Sequence, residues 1–125
     1  MNIDIDCVPN TAEEAVAALV KAASSEDLEG VRAESASWAQ VHFGFGMFIR
    51  NAWSLWEDTP IRRDCISRWK IAHADDVSSL LLAWFIAEVR GDAFDPEKYC
   101  ERFHEHWESY GTTALKAAGI DDENQ

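Results

Sequence analysis

Basic residues are scarce in this chain: 11 lysines and arginines stand against 23 aspartates and glutamates over 125 residues, for a net charge of −12. With no Lys/Arg stripe to replace phosphate counterions, direct binding to a nucleic-acid backbone is not expected. Cysteine is equally sparse. Cys7, Cys65 and Cys100 are odd in number, far apart and form no C-x-x-C pair. That speaks against a disulfide framework or a zinc site and fits reduced thiols in a cytoplasm. Long apolar runs are missing too: the longest, Leu80 to Ala87, falls far short of the ~20 residues a membrane span needs. The start, Met1 to Asp6, is acidic and has no positive n-region, so no secretory leader is expected.

Six tryptophans are present, Trp38, Trp53, Trp56, Trp69, Trp84 and Trp107. Each carries a large apolar surface, and their first expected role is to fill a core. The charge is unevenly spread. Residues 1–37 have a balance of −6, residues 38–73 of +2 and residues 74–125 of −8. Two acidic arms flank a mildly basic centre, a layout compatible with a basic protein partner and equally with simple solubility.

Helix signals recur along the whole chain. Thr11-Ala12-Glu13-Glu14 reads as a capping box after Pro9, and Ala15, Val16, Leu19, Val20 and Ala23 follow at helical spacing. Ser24 or Ser25 caps an acidic turn that Gly30 ends or loosens. Trp38 to Glu57 reads as one helix capped by Ser37. Its interior Gly44 and Gly46 leave open a loop up to Gly46 with a helix from Met47. Thr59-Pro60 starts a helix to about Trp69 that displays Arg62, Arg63, Arg68 and Lys70. Asp75 or Asp76 caps an apolar, central helix, Val77 to Arg90, stopped by Gly91. Asp95-Pro96 opens a helix to Tyr110, and a short one spans Thr113 to Ala118. The expected fold is all-α, a compact orthogonal bundle of about six helices. One domain is expected over residues 1–125, irregular or frayed at 1–8 and 120–125.

The block from His42 to Trp56 is the most distinctive. On a continuous helix Phe45, Ile49, Trp53 and Trp56 would share one face, with Arg50 and Asn51 beside it. An arginine among aromatics needs a carboxylate or carbonyl partner, for which Asp64, Asp75 and Asp76 are candidates. An internal Arg–Asp clamp is the commoner outcome, and a polar pocket for a carboxylate or phosphate the rarer one. His73 followed by Asp75 and Asp76 invites a metal or general-base reading, but the spacing matches no closed ligand set. No metal and no cofactor is therefore expected. His104-Glu105-His106 places its two histidines on different helix sides and reads as solvated surface. No nucleophile elbow, phosphate loop or His-Glu-x-x-His motif is present. Catalytic residues are consequently not assigned, and an enzyme is the less favoured reading.

Three segments together resemble a family of small bacterial domains without an established activity: Pro9-x-Thr11-x-x-Glu14-Ala15; His42-Phe43-Gly44-x-Gly46-x-x-Ile49-Arg50-Asn51-x-Trp53-x-Leu55-Trp56; and His73-x-Asp75-Asp76-x-Ser78. Asp64-Cys65 lies between the last two. The resemblance spans roughly residues 8–90. Its pattern usually has proline where this chain has Ala74, and often glycine where it has Ser54. It implies a helical bacterial or phage domain in which His42, Arg50, Asn51, His73, Asp75 and Asp76 form one shared constellation.

Three functions follow as expectations. The favoured one is a cytoplasmic protein-binding module that inhibits or neutralises a host or cognate protein, in the manner of an immunity protein, antitoxin or phage anti-defence factor. The alternative is a ligand-sensing or enzymatic domain with a polar pocket around Arg50 and Asp75/Asp76. The third is an architectural oligomer subunit.

Overall fold

In the computed structural model, which describes residues 8–32 and 47–120, the chain is all-α. Among the described residues there are seven helices: α1 Ala12–Ala22, α2 Ser25–Arg32, α3 Met47–Ala52, α4 Pro60–Trp69, α5 Ala74–Arg90, α6 Pro96–Ser109 and α7 Ala114–Ala117. None is long and apolar enough to cross a membrane.

Helix starts follow capping chemistry closely. Thr11, Thr59, Asp95 and Thr113 each accept the backbone N–H three residues on, satisfying donors that a first turn leaves orphaned. Glu14 does reach back, but to the N–H of Asn10 at 2.8 Å, one residue before the Thr11 cap, so the expected box closes only in half. Ser24 and Asp27 make the full reciprocal pair, at 3.0 Å each way. Gly30 does not end α2, which runs on to Arg32. A single glycine costs a helix about 1 kcal/mol, a deficit that packing of α2 on α5 through buried Val31 can offset.

Two starts and stops differ from expectation. The cap of α5 is His73, whose Nδ1 accepts the Asp75 N–H at 3.1 Å; Asp75 and Asp76 lie inside the first turn, where their charge favours the helix dipole. The helix through Arg50 ends at Ala52 instead of reaching Glu57. There Leu55 N–H bonds back to Arg50 C=O at 3.1 Å and Ser54 N–H to Asn51 C=O at 3.4 Å, with Ser54 left-handed at φ 49°. This is a Schellman stop. The start at Met47 matches the loop-then-helix alternative, whereas Ser37 to Gly46 lie outside the described residues.

The apolar α5 forms the centre, packed by α1, α2, α3 and α6. Leu80, Leu81, Leu82 and Phe85 are fully buried with Leu19, Ile49, Trp53, Leu55, Ile61 and Val77, each such side chain contributing about 1.5–3 kcal/mol by leaving water. Not every tryptophan joins them. Trp53 and Trp69 are buried and Trp84 and Trp107 half-buried, but Trp56 is exposed, and Trp38 is outside the described residues.

Between helices the ties are polar. Arg68 grips both Glu13 oxygens at 2.6 and 2.8 Å and Asp64 at 3.2 Å, while Asp64 accepts the Ala12 N–H of α1 at 3.0 Å. Arg62 is not simply displayed on the surface: it donates to Ala72 C=O at 3.0 Å and to Ala118 C=O at 3.3 Å, joining α4 to the ends of two other elements.

Candidate functional site

Arg50, on α3, reaches across to the first turns of α5. Its Nη1 donates to Ser78 Oγ at 2.9 Å, and its Nε stands 3.6 Å from Asp75 Oδ1. Ser78 is fully buried and passes its own proton to Asp75 C=O at 3.1 Å. The arginine side chain is 11% exposed and the aspartate 56%. Arg50 is thus tied to α5 by a buried hydroxyl and a half-solvated carboxylate.

Of the other candidates, Asp76 turns away from Arg50. Its carboxylate accepts Trp107 Nε1–H at 2.9 Å, and burial pushes its pKa up, with the Trp107 bond and nearby His73 and His106 pulling it back. Asp64 likewise belongs to the Arg68 network and not to Arg50. Asn51 is exposed. His42 lies outside the described residues. The structure therefore brings Arg50, His73 and Asp75 to the start of α5 and sets Asp76 on the side facing α6.

The two thiols among the described residues, Cys65 and Cys100, are not placed for nucleophilic work. Burial drives Cys65 far above the usual thiol range and pushes Cys100 up to about 12, holding both as neutral packing groups. His104 is no solvated residue either, since its Nε2 lies 2.9 Å from Trp69 C=O. Among the described residues, no group of three or more His, Cys, Asp or Glu side chains is arranged to hold a metal ion.

A feature the sequence did not show is a ribbon of rings on the surface. Trp56 meets His73 edge-on at 5.7 Å, His73 meets Trp107 at 5.7 Å, Trp107 meets His106 at 4.8 Å, and His106 meets Tyr110 at 5.1 Å. Its ends are open: Trp56 is 58% exposed and Tyr110 73%, and they are the exposed large apolar side chains among the described residues. Its middle is fixed. His73 is held by the α5 cap and Trp107 by Asp76, so these rings lose little freedom when something docks on them. Because His73 Nδ1 accepts a backbone proton, the neutral ring carries its own proton on Nε2. Ring spacing along α6, positions 103, 106, 107 and 110, was readable in the sequence; the approach of Trp56 and His73 to it was not.

Beside Trp56 the ribbon opens into a cavity of about 210 Å³, walled by Trp56, His73, Arg62, Ala72, Ala117 and Ala118. A larger groove of about 530 Å³ lies between α1 and α5 along Val16, Val20 and Trp84.

A family model for a domain of unknown function, DUF6794, matches residues 8–88. No curated protein and no solved structure matches the chain.

Proposed function

We propose that this chain, which belongs to the DUF6794 family of domains of unknown function, works by binding another protein through the Trp56–His73–Trp107–His106–Tyr110 ribbon, and that by occupying that protein it inhibits or neutralises it. The observation that carries the reading is the ribbon itself. Tryptophan and tyrosine dominate binding hot spots because they bury a large rigid surface at low entropic cost. The domain buries Trp53 and Trp69 in its core yet keeps Trp56 in water, and exposed apolar surface on a folded domain marks an interaction site. Exposed carboxylates border it at Glu57, Asp75, Glu105 and Glu108, and they favour a basic partner.

The pocket alternative around Arg50 has less support. Arg50 already gives an Nη1 proton to buried Ser78 and faces Asp75 at 3.6 Å, so an anion arriving there would compete with a carboxylate already in place.

Affinity capture from host extract tests the proposal with wild type beside Trp56→Ala and Tyr110→Ala. Both substitutions fall at solvent-exposed positions and should leave the fold intact by circular dichroism. The expected result is a partner held by wild type, weakened by each variant and by high salt, whose activity falls when stoichiometric wild-type protein is added. A partner retained equally by both variants, or one whose activity is unchanged in the complex, refutes it.

A further inference from the structure

We infer that the cavity at the Trp56 end of the ribbon receives a single aromatic side chain from a basic segment of the partner. The inference rests on the binding role proposed above and names the chemistry of its anchor.

Size decides first. At about 210 Å³ the cavity is smaller than the ~300–1,000 Å³ of pockets that enclose free small molecules, and is on the scale of one large side chain. It is also continuous with the ribbon, sharing Trp56 and His73. Hot-spot anchors sit in such pockets, surrounded by weaker contacts that exclude water.

The walls decide which side chain. Two are aromatic, Trp56 and His73, and four are alanines, Ala72, Ala74, Ala117 and Ala118. Arg62 supplies a guanidinium, fixed in place by its bonds to Ala72 and Ala118 carbonyls. A lysine or arginine anchor would meet that cation and lose its hydration for nothing. A carboxylate would find two of the guanidinium's donors already spent, inside the field of a chain with net charge −12. A neutral ring meets neither obstacle, and it gains both ring–ring and cation–π contact.

The rim decides what flanks it. Glu57 follows Trp56, Glu108 follows Trp107, and Asp75, 3.9 Å from the His73 ring, is shared with Arg50 at 3.6 Å. Against these stand Lys116 and Arg63, the latter engaged by Asp58 at 3.5 Å. Lysines or arginines on either side of the anchor satisfy that rim.

Synthetic peptides measure this directly. One set carries Lys/Arg flanks around a central Phe, Tyr, Trp, Leu or Ala, and a second carries Glu flanks around the same centres. Binding is read by fluorescence anisotropy. The expected order is aromatic over Leu by roughly two- to tenfold, Leu over Ala, and basic over acidic flanks. Ala117→Leu fills the cavity while leaving every ribbon residue in place and should weaken the aromatic peptides about tenfold or more. If that variant fails to fold, Trp56→Ala, at a position mostly in solvent, strips one aromatic wall from the cavity and should weaken the aromatic peptides more than the Leu peptide. Leu and Ala peptides matching the aromatic ones, wild-type affinity in the filled variant, or no binding by any peptide overturns the inference. Partner capture that survives Ala117→Leu but fails in Tyr110→Ala removes the anchor and leaves the binding role standing. Capture indifferent to both removes the two together.

Discussion

Replacing Arg50 separates a structural clamp from an open site, and the size of the loss can be worked out. Arg50→Ala removes a charged hydrogen bond to a buried hydroxyl, worth about 1.5–3 kcal/mol. It also removes an ion pair at 3.6 Å whose acidic partner is more than half solvated, worth about 0–1 kcal/mol after screening, together with the packing of the arginine stem. The expected loss is about 2–4 kcal/mol. Ser78→Ala leaves a buried guanidinium N–H without its acceptor and costs about 1–3 kcal/mol, while Asp75→Asn costs under about 1 kcal/mol. Urea unfolding followed by tryptophan emission reads all three. With slopes of ~1–3 kcal/mol/M, Arg50→Ala should move the midpoint by on the order of 1 M at unchanged slope. The order Arg50 > Ser78 > Asp75 is the signature of a clamp. Should Asp75→Asn cost as much as Arg50→Ala, the ion pair and not the hydroxyl would be what holds the helices. Should Arg50→Ala cost nothing, or stabilise, the arginine would be held in strain for a ligand, and the clamp would fall.

Ser54→Gly relieves a left-handed serine at the Schellman position and should stabilise by about 0.5–1 kcal/mol in the same unfolding assay. Ala74→Pro acts at the first position of α5, after a residue whose ψ of 133° already suits a following proline; a gain of about 0.4–1 kcal/mol is expected. Asp64→Ala strips the acceptor from the Ala12 N–H as well as from Arg68 and should cost about 2 kcal/mol, whereas Glu13→Ala, at an exposed pair, should cost under about 1 kcal/mol. Asp76 is raised by burial, so the native state holds its proton more tightly than the unfolded chain does. Its contribution to stability falls as pH rises from the ordinary carboxylate pKa through the folded one. Asn at 76 can still accept the Trp107 N–H, so the stability of Asp76→Asn relative to wild type should climb from acid to neutral pH; a pH-independent difference would contradict the burial argument. Glu13, held low first by its hydrogen bond to Arg68, acts oppositely: its contribution is present above its unfolded pKa and fades as pH falls through the folded one.

Which parts of this molecule could be read from its residues follows from how local their causes are. Caps are local. Thr11, Thr59 and Asp95 mark their helices because a side-chain oxygen three residues from an N–H needs nothing from the rest of the fold. His73 was missed as a cap because histidine fills that role rarely, while the two aspartates after it advertise the same role more loudly. The Arg50 tie was legible as a need for a partner, but its partner was not: Ser78 lies 28 residues on and is uncharged, so no charge pattern could nominate it. Asp76 looked equivalent to Asp75. The helix sends adjacent residues about 100° apart, which gives one to Arg50 and the other to Trp107.

The most consequential misreading came from one backbone torsion. Four Schellman stops occur among the described residues, and three place glycine at the left-handed position, at Gly91, Gly111 and Gly119. Those glycines announced the ends of α5, α6 and α7. The fourth uses Ser54, so a helix-forming stretch seemed to continue to Glu57 and to carry Trp56 onto the buried face with Ile49 and Trp53. The left-handed turn redirects the chain after Trp53: Leu55 goes into the core, and Trp56 comes out against His73. From that single reversal follow the open end of the ribbon and one wall of the cavity beside it. A glycine at 54 would take the same turn with less strain, so the turn itself, and not the serine, is what the surface requires. Ser54→Gly should therefore raise stability while leaving partner capture and peptide affinity unchanged. A loss of binding in a more stable protein would show that the serine side chain takes part in the surface, and would move the centre of the site from the rings to the turn that presents them.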